Sequence, residues 1–99
     1  MLGEALRLIR VYHDTKLVDL AKQFDISVSF LSEVENNHKK PNIDLIEKYA
    51  EHFDLRSSAI MFFAEELDDK TLKGKAKGEI RNKMIKFMQL IEKYKSLEE

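Results

Sequence analysis

Three groups of side chains in this sequence could carry chemistry. The histidines His13, His38 and His52 are the first. None lies three or four residues from another, and the chain has no cysteine, so ligand spacing for a metal ion is missing. The acidic pairs Glu65-Glu66 and Asp68-Asp69 are the second. They stand where an apolar helical pattern runs out, which reads as a helix end and linker rather than as catalytic carboxylates. No nucleophile elbow, phosphate-cradling glycine loop or metalloprotease helix accompanies them. The expectation is no enzyme, with no catalytic residue, no metal and no cofactor. The third group is the polar run Asn36-Asn37-His38-Lys39-Lys40, followed by Pro41 and Asn42, with Lys16 and Lys22 earlier in the chain. Amide and ammonium groups of this kind can hold phosphate oxygens, although a lysine cluster is more often only a soluble surface.

Charge restricts where such contacts can be made. The net charge of the 99 residues is -1. Residues 1–67 hold 12 acidic and 8 basic side chains, and residues 68–99 hold 6 acidic and 9 basic. Seven of those nine basics fall between Lys70 and Lys86, where Glu79 is the lone acid. A broad basic footprint for nucleic acid is absent from the front of the chain and local at its back.

The elements that must position these residues are helices. Hydrophobic residues make up 43% of the chain and charged ones 35%, with one proline and three glycines. That composition builds a core with few forced breaks. No apolar run approaches the ~20 residues of a membrane span. The start, MLGEALRLIR, lacks the pattern of a signal peptide, and the absence of cysteine suits a reducing compartment. No membrane association and a cytoplasmic location are therefore expected.

Leu2, Leu6 and Ile9, with His13 one step further, repeat on one helical face. Asp14 and Thr15 then end helix 1, with Thr15 as the N-cap of helix 2. Helix 2 carries Leu17, Leu20, Ala21 and Phe24. Asp25 follows, and Ser27 caps a third helix bearing Phe30, Leu31 and Val34. Pro41 disfavours helix at Lys40, and Asn42 caps a fourth helix with Ile43, Leu45, Ile46, Tyr49, Ala50 and Phe53. Ser57 or Ser58 caps a fifth, running through Ile60, Met61, Phe62, Phe63 and Leu67.

The tight passage from helix 2 to helix 3 is specific. Ala21 is the small residue that lets one helix cross the other. Ile26, Leu31 and Val34 lock the crossing. Asp25 stands where a positive φ is needed, which Asp tolerates better than most residues.

With Leu20-Ala21, Ile26-Ser27 and Leu31-Ser32-Glu33-Val34-Glu35, the span Leu17 to Asn36 resembles the Cro/phage-repressor (XRE-type) helix-turn-helix family. Lys40-Pro41-Asn42, Leu45, Lys48-Tyr49-Ala50 and Phe53-Asp54-Leu55 resemble its fourth helix and exit. The resemblance covers roughly residues 2–66 and implies double-stranded DNA as a partner. It implies that helix 3 presents Val28, Ser29, Ser32 and Glu33 to base edges. Val28 would meet a thymine methyl, the serines almost any base edge, and Glu33 a cytosine amino group. Glu33 repels phosphate unless it reads a base or pairs with a lysine.

Phosphate contacts are expected from Lys16, Asn36, Asn37, His38, Lys39, Lys40 and Asn42. The N-termini of helices 2 and 4 add backbone N–H groups. By the same resemblance, Arg10 and Glu35 form an architectural ion pair joining helix 1 to helix 3. Leu17, Asp25 and Asn37 depart from the family's glutamine and two glycines, and Leu17 removes a polar phosphate contact.

The expected domains are a helix-turn-helix domain at 1–67, a charged linker at 68–78 and a C-terminal helix at 79–99. The fold class is all-α, a five-helix Cro/repressor-like bundle plus an additional amphipathic helix. Ile80, Met84, Phe87, Ile91 and Tyr94 recur with spacings of 4 and 3 in that helix, a heptad seam. The seam either dimerises or closes the bundle, with Phe62 and Phe63 as its docking site. The functional expectation is a transcriptional regulator, most simply a repressor, bound as a homodimer to a palindromic operator. Two alternatives remain: an antitoxin of this fold with a toxin partner, and a protein-interaction module that has lost DNA.

Overall fold

The structure is a computed structural model that describes residues 2–68, 82, 85–89 and 91–92. Five helices follow one another: α1 (Leu2–Tyr12), α2 (Leu17–Gln23), α3 (Val28–Glu35), α4 (Ile43–His52) and α5 (Ser57–Leu67). Residues 85–89 and 91–92 are also helical, and the described residues contain no strand. The all-α helix-turn-helix bundle expected from the sequence is the fold observed. The charged segment expected at 68–78 lies outside the described residues, except for Asp68.

The ends of the first four helices share one device. Asp14, Asp25, Asn37 and Asp54 all have positive φ, at 52°, 56°, 65° and 56°. In each case the next residue donates its N–H five positions back: Thr15 to Arg10, Ile26 to Ala21, His38 to Glu33, and Leu55 to Ala50. This left-handed closure satisfies orphan carbonyls and turns the chain sharply. Glycine is the usual residue there, and Asp and Asn are the side chains best able to replace it.

The closure also explains where two expected caps went. Thr15 is consumed in ending α1: its hydroxyl donates to the His13 carbonyl at 3.2 Å. Lys16 stands at the N-cap of α2 without a side-chain cap bond. At α5 the N-cap is Arg56, and Ser57 already lies inside the helix. The caps of α3 and α4 are those expected. Ser27 Oγ accepts from the Phe30 N–H at 3.1 Å, and Asn42 Oδ1 accepts from the Leu45 N–H at 2.8 Å.

The core draws on every helix: Leu6 and Ile9 of α1, Leu20 and Ala21 of α2, Leu31 and Val34 of α3, Tyr49 of α4, Ile60 and Phe63 of α5. α1 packs on α5 and α3, α2 on α3, and α4 on α5. α1 reaches α3 closely because residue 3 is glycine. A Cβ at Gly3 would collide with the Val34 carbonyl oxygen and stand 2.6 Å from Asn37 Oδ1.

Phe87 and Met88 complete the core. The Phe87 ring stacks on Phe63, with centroids 4.6 Å apart. Ile91 packs half-buried against the same cluster. The two described residues of the expected dimer seam that carry apolar side chains, Phe87 and Ile91, therefore sit on the chain's own core rather than on a free face. Ile80, Met84 and Tyr94 lie outside the residues whose side chains are described.

Candidate nucleic-acid interface

α3 is held between two closures. Asp25 in the left-handed region ends α2 and aims the chain, and Ser27 caps the new helix two residues later. Asn37 ends α3 the same way. Between them, Leu31, Val34 and Glu35 face inward and are buried. Val28 (42% exposed) and Ser29 stand at the opening of the helix on the solvent side. Ser32 and Glu33 are half-buried further along.

The structure brings several of the expected contact residues together. Asn36 folds back on α3: its Nδ2 donates to the Ser32 carbonyl at 2.8 Å and to Ser32 Oγ at 3.3 Å. Lys39 Nζ lies 3.0 Å from Glu33 Oε2, so the acid is paired with a lysine. The same ammonium stands 5.6 Å from the centre of the Phe30 ring. His38 and Lys39 both donate backbone N–H to the Glu33 carbonyl, at 2.8 and 3.2 Å.

The remaining candidates divide by what their side chains do. Asn37 supplies a backbone conformation and Asn42 an N-cap, so both shape the chain. Lys16, His38 and Lys40 present exposed side chains. Among the described residues Lys16 and Lys40 enter no ion pair. Lys16 lies on a different element from the loop, at the start of α2. Lys22 is exposed in the last turn of α2.

On the inner side, Arg10 and Glu35 meet. Arg10 Nε donates to both carboxylate oxygens, at 2.9 and 3.0 Å, and its Nη1 donates to the Thr15 carbonyl at 2.9 Å. Glu35 is 2% exposed. Its Oε2 accepts a third hydrogen bond, from the Tyr49 hydroxyl at 2.5 Å. Burial, then the hydrogen bond to the Glu35 carboxylate and its charge, push the Tyr49 phenol well above its usual value. One carboxylate thus ties α1, the turn after it, α3 and α4 together.

Three participants were not singled out from the sequence. Gly3 carries no signal of its own beyond being glycine in a helical pattern. Tyr49 does carry one: a tyrosine on an apolar helical face must bury its hydroxyl against a partner. Phe30 packs partly buried against the core and also lies beside the Lys39 ammonium. The histidines form no site. His13 and His52 each pack a ring on Phe53, with centroids 4.7 Å apart in both cases. His52 also meets the Phe24 ring, with centroids 5.8 Å apart, while remaining exposed. No group of residues that could hold a metal ion occurs among the described residues. No helix there is long and apolar enough to cross a membrane.

Comparison with known proteins adds the last piece. A family model described as helix-turn-helix matches residues 6–60, more than half of the chain. Neither curated proteins nor solved structures gave a match. The matched span opens within α1, contains α2, α3 and α4 with the closures that join them, and ends inside α5. With the inward Arg10–Glu35 pair and the outward Val28 and Ser29 placed on that frame, the chain belongs to the Cro/phage-repressor (XRE-type) helix-turn-helix family, whose members are DNA-binding transcriptional regulators.

Proposed function

We propose that this protein is a sequence-specific transcriptional repressor that binds a palindromic operator as a homodimer. The observation that carries the reading is the outer face of α3. It exposes Val28 and Ser29 at its opening, and the loop that leaves it carries Lys39 and Lys40. In this reading α3 lies in the major groove. Val28 packs on a thymine methyl, Ser29 and Ser32 bond base edges, and Glu33 accepts from a cytosine amino group. Lys16, His38 and Lys40 meet the backbone phosphates, and Asn36, Asn37 and Asn42 hold the loop that presents them. Repression follows from occupancy of the operator.

The dimer reading has its own support. Met61 is 44% exposed and Phe62 51% exposed, beside the Phe62–Phe87 ring contact of 6.4 Å. Ile85 is exposed as well. A second copy would cover these residues and set two recognition helices about 34 Å apart, one turn of the duplex. The same residues support a second reading, an antitoxin that covers them with a toxin, or a module that binds only protein.

Selection of bound duplexes from a random pool, followed by titration at several salt concentrations, tests the proposal. A palindromic consensus with a steep salt dependence is the expected result. Val28→Ala should then relax the preference at defined bases. Lys40→Ala should weaken all duplexes alike and lower the salt slope by about 1.8, one phosphate contact being lost from each protomer of the dimer. No enrichment even at low salt would overturn DNA reading and favour the protein partner.

A further inference from the structure

Lys39 is the lysine of the loop that is not free. Its backbone N–H donates to the Glu33 carbonyl at 3.2 Å, and its Nζ stands 3.0 Å from the Glu33 carboxylate. Its ammonium also stands over the Phe30 ring, 5.6 Å from the centroid. One residue is therefore held at both ends by Glu33 and flanked by an aromatic face. The left-handed Asn37 folds the chain back far enough for this, and Pro41 keeps the next residue out of the helical region. Lys40, one position on, has no ion pair among the described residues.

We propose that Lys39 is a positioning residue for Glu33 rather than a phosphate contact. The ammonium fixes the carboxylate on the outer face of α3 and cancels its charge against the flanking phosphates. Glu33 can then approach a base edge and accept from a cytosine amino group through the oxygen that Lys39 leaves free. Without Lys39 the carboxylate is mobile and repelled by the strands, and its preference for cytosine is lost. Phe30 contributes by holding the lysine stem, an aromatic–cation contact that favours this rotamer. The inference rests on α3 being the DNA-reading helix.

A coupled substitution series tests it, with the full chain and duplexes selected by the wild-type protein from a random pool. Lys39→Met keeps the apolar stem on Phe30 and removes the charge, so folding should be retained, as thermal melting will show. The wild type should prefer cytosine at one position of each half-site by about tenfold, the range of a good base contact. Glu33→Ala and Lys39→Met should each flatten that same position. The double variant should bind no worse than Glu33→Ala alone. If Lys39→Met instead weakens every duplex equally, keeps the cytosine preference and costs as much in the Glu33→Ala background, Lys39 is a phosphate contact and the proposal is overturned. A consensus with no position sensitive to Glu33→Ala overturns it too. If the wild type selects no consensus at all, the DNA reading itself fails, an outcome distinct from the other two.

Discussion

Glu33 and Glu35 stand two residues apart on α3, and they lead opposite lives. Glu35 is buried, and its carboxylate accepts three hydrogen bonds from Arg10 and Tyr49 on two other helices. Glu33 shares one exposed ion pair with Lys39, in which the two side chains remain 43% and 53% exposed. Two residues on a helix rotate the side chain by roughly 200°, to the other side of the rod. The same residue type is thus architecture on the inner face and, in the function proposed above, recognition chemistry on the outer. A buried ion pair held by one removable partner is costly to break, whereas an exposed pair contributes little to stability.

The sharpest way to break that contrast is to remove Glu35. Glu35→Ala leaves Arg10 facing the core without its carboxylate and Tyr49 with an unpaired buried hydroxyl. A loss of about 3–5 kcal/mol is expected, read as a lowered urea midpoint at unchanged slope. A loss below about 1 kcal/mol would mean that the inner node does not hold the helices. Gly3→Ala should cost about 1–3 kcal/mol, because the colliding Val34 carbonyl belongs to the backbone and cannot rotate away.

Tyr49→Phe should cost about 1.5–3 kcal/mol, the range for a hydrogen bond to a charged group. It also carries a pH signature. The folded phenol titrates above its ordinary value of 10.0. The unfolded chain therefore gives up this proton first as the pH rises. Stability from Tyr49 is complete below that value and falls above it by about 1.4 kcal/mol per pH unit. The wild type should lose this extra increment between mildly and strongly alkaline solution, and Tyr49→Phe should not. Equal alkaline slopes would remove Tyr49 from the node.

At the small end lie the chain closures and the outer face. Asp25→Gly should stabilise by about 0.5–1 kcal/mol, since glycine enters the positive-φ region without a Cβ and an acid at a helix C-terminus opposes the dipole. A lower melting temperature would show that the aspartate side chain does more than tolerate the turn. Glu33→Ala should change stability by less than about 0.5 kcal/mol. If it destabilised the protein as much as Glu35→Ala, the distinction between the two faces would collapse.

Much of this was legible in the residues. Leu6, Ile9, Leu20, Leu31 and Val34 fall at helical spacing, and all are buried. Asp25 and Asn37 were the residues able to replace glycine, and both have positive φ. Ser27 and Asn42 cap the helices they precede. Thr15 did not, because ending α1 and starting α2 compete for one residue and only the backbone geometry settles which wins. Tyr49 was legible as a helix-face residue, yet its partner Glu35 lies 14 positions away on another helix. Lys39 looked like one of several equal lysines until the turn at Asn37 brought it over Phe30.

The sequence by itself determined the helices, their closures and the family frame, because periodicity, caps and turn residues act over a few positions. Only the tertiary structure decided which charges are spent. Beyond the Arg10–Glu35 pair, which the family resemblance already implied, it gave Tyr49 to Glu35, Lys39 to Glu33, and Phe87 to the chain's own Phe63. Each of those pairings joins residues that local spacing leaves independent. An ion pair or ring stack forms only where packed helices bring two side chains within a few ångströms, and no pattern along the chain encodes that distance.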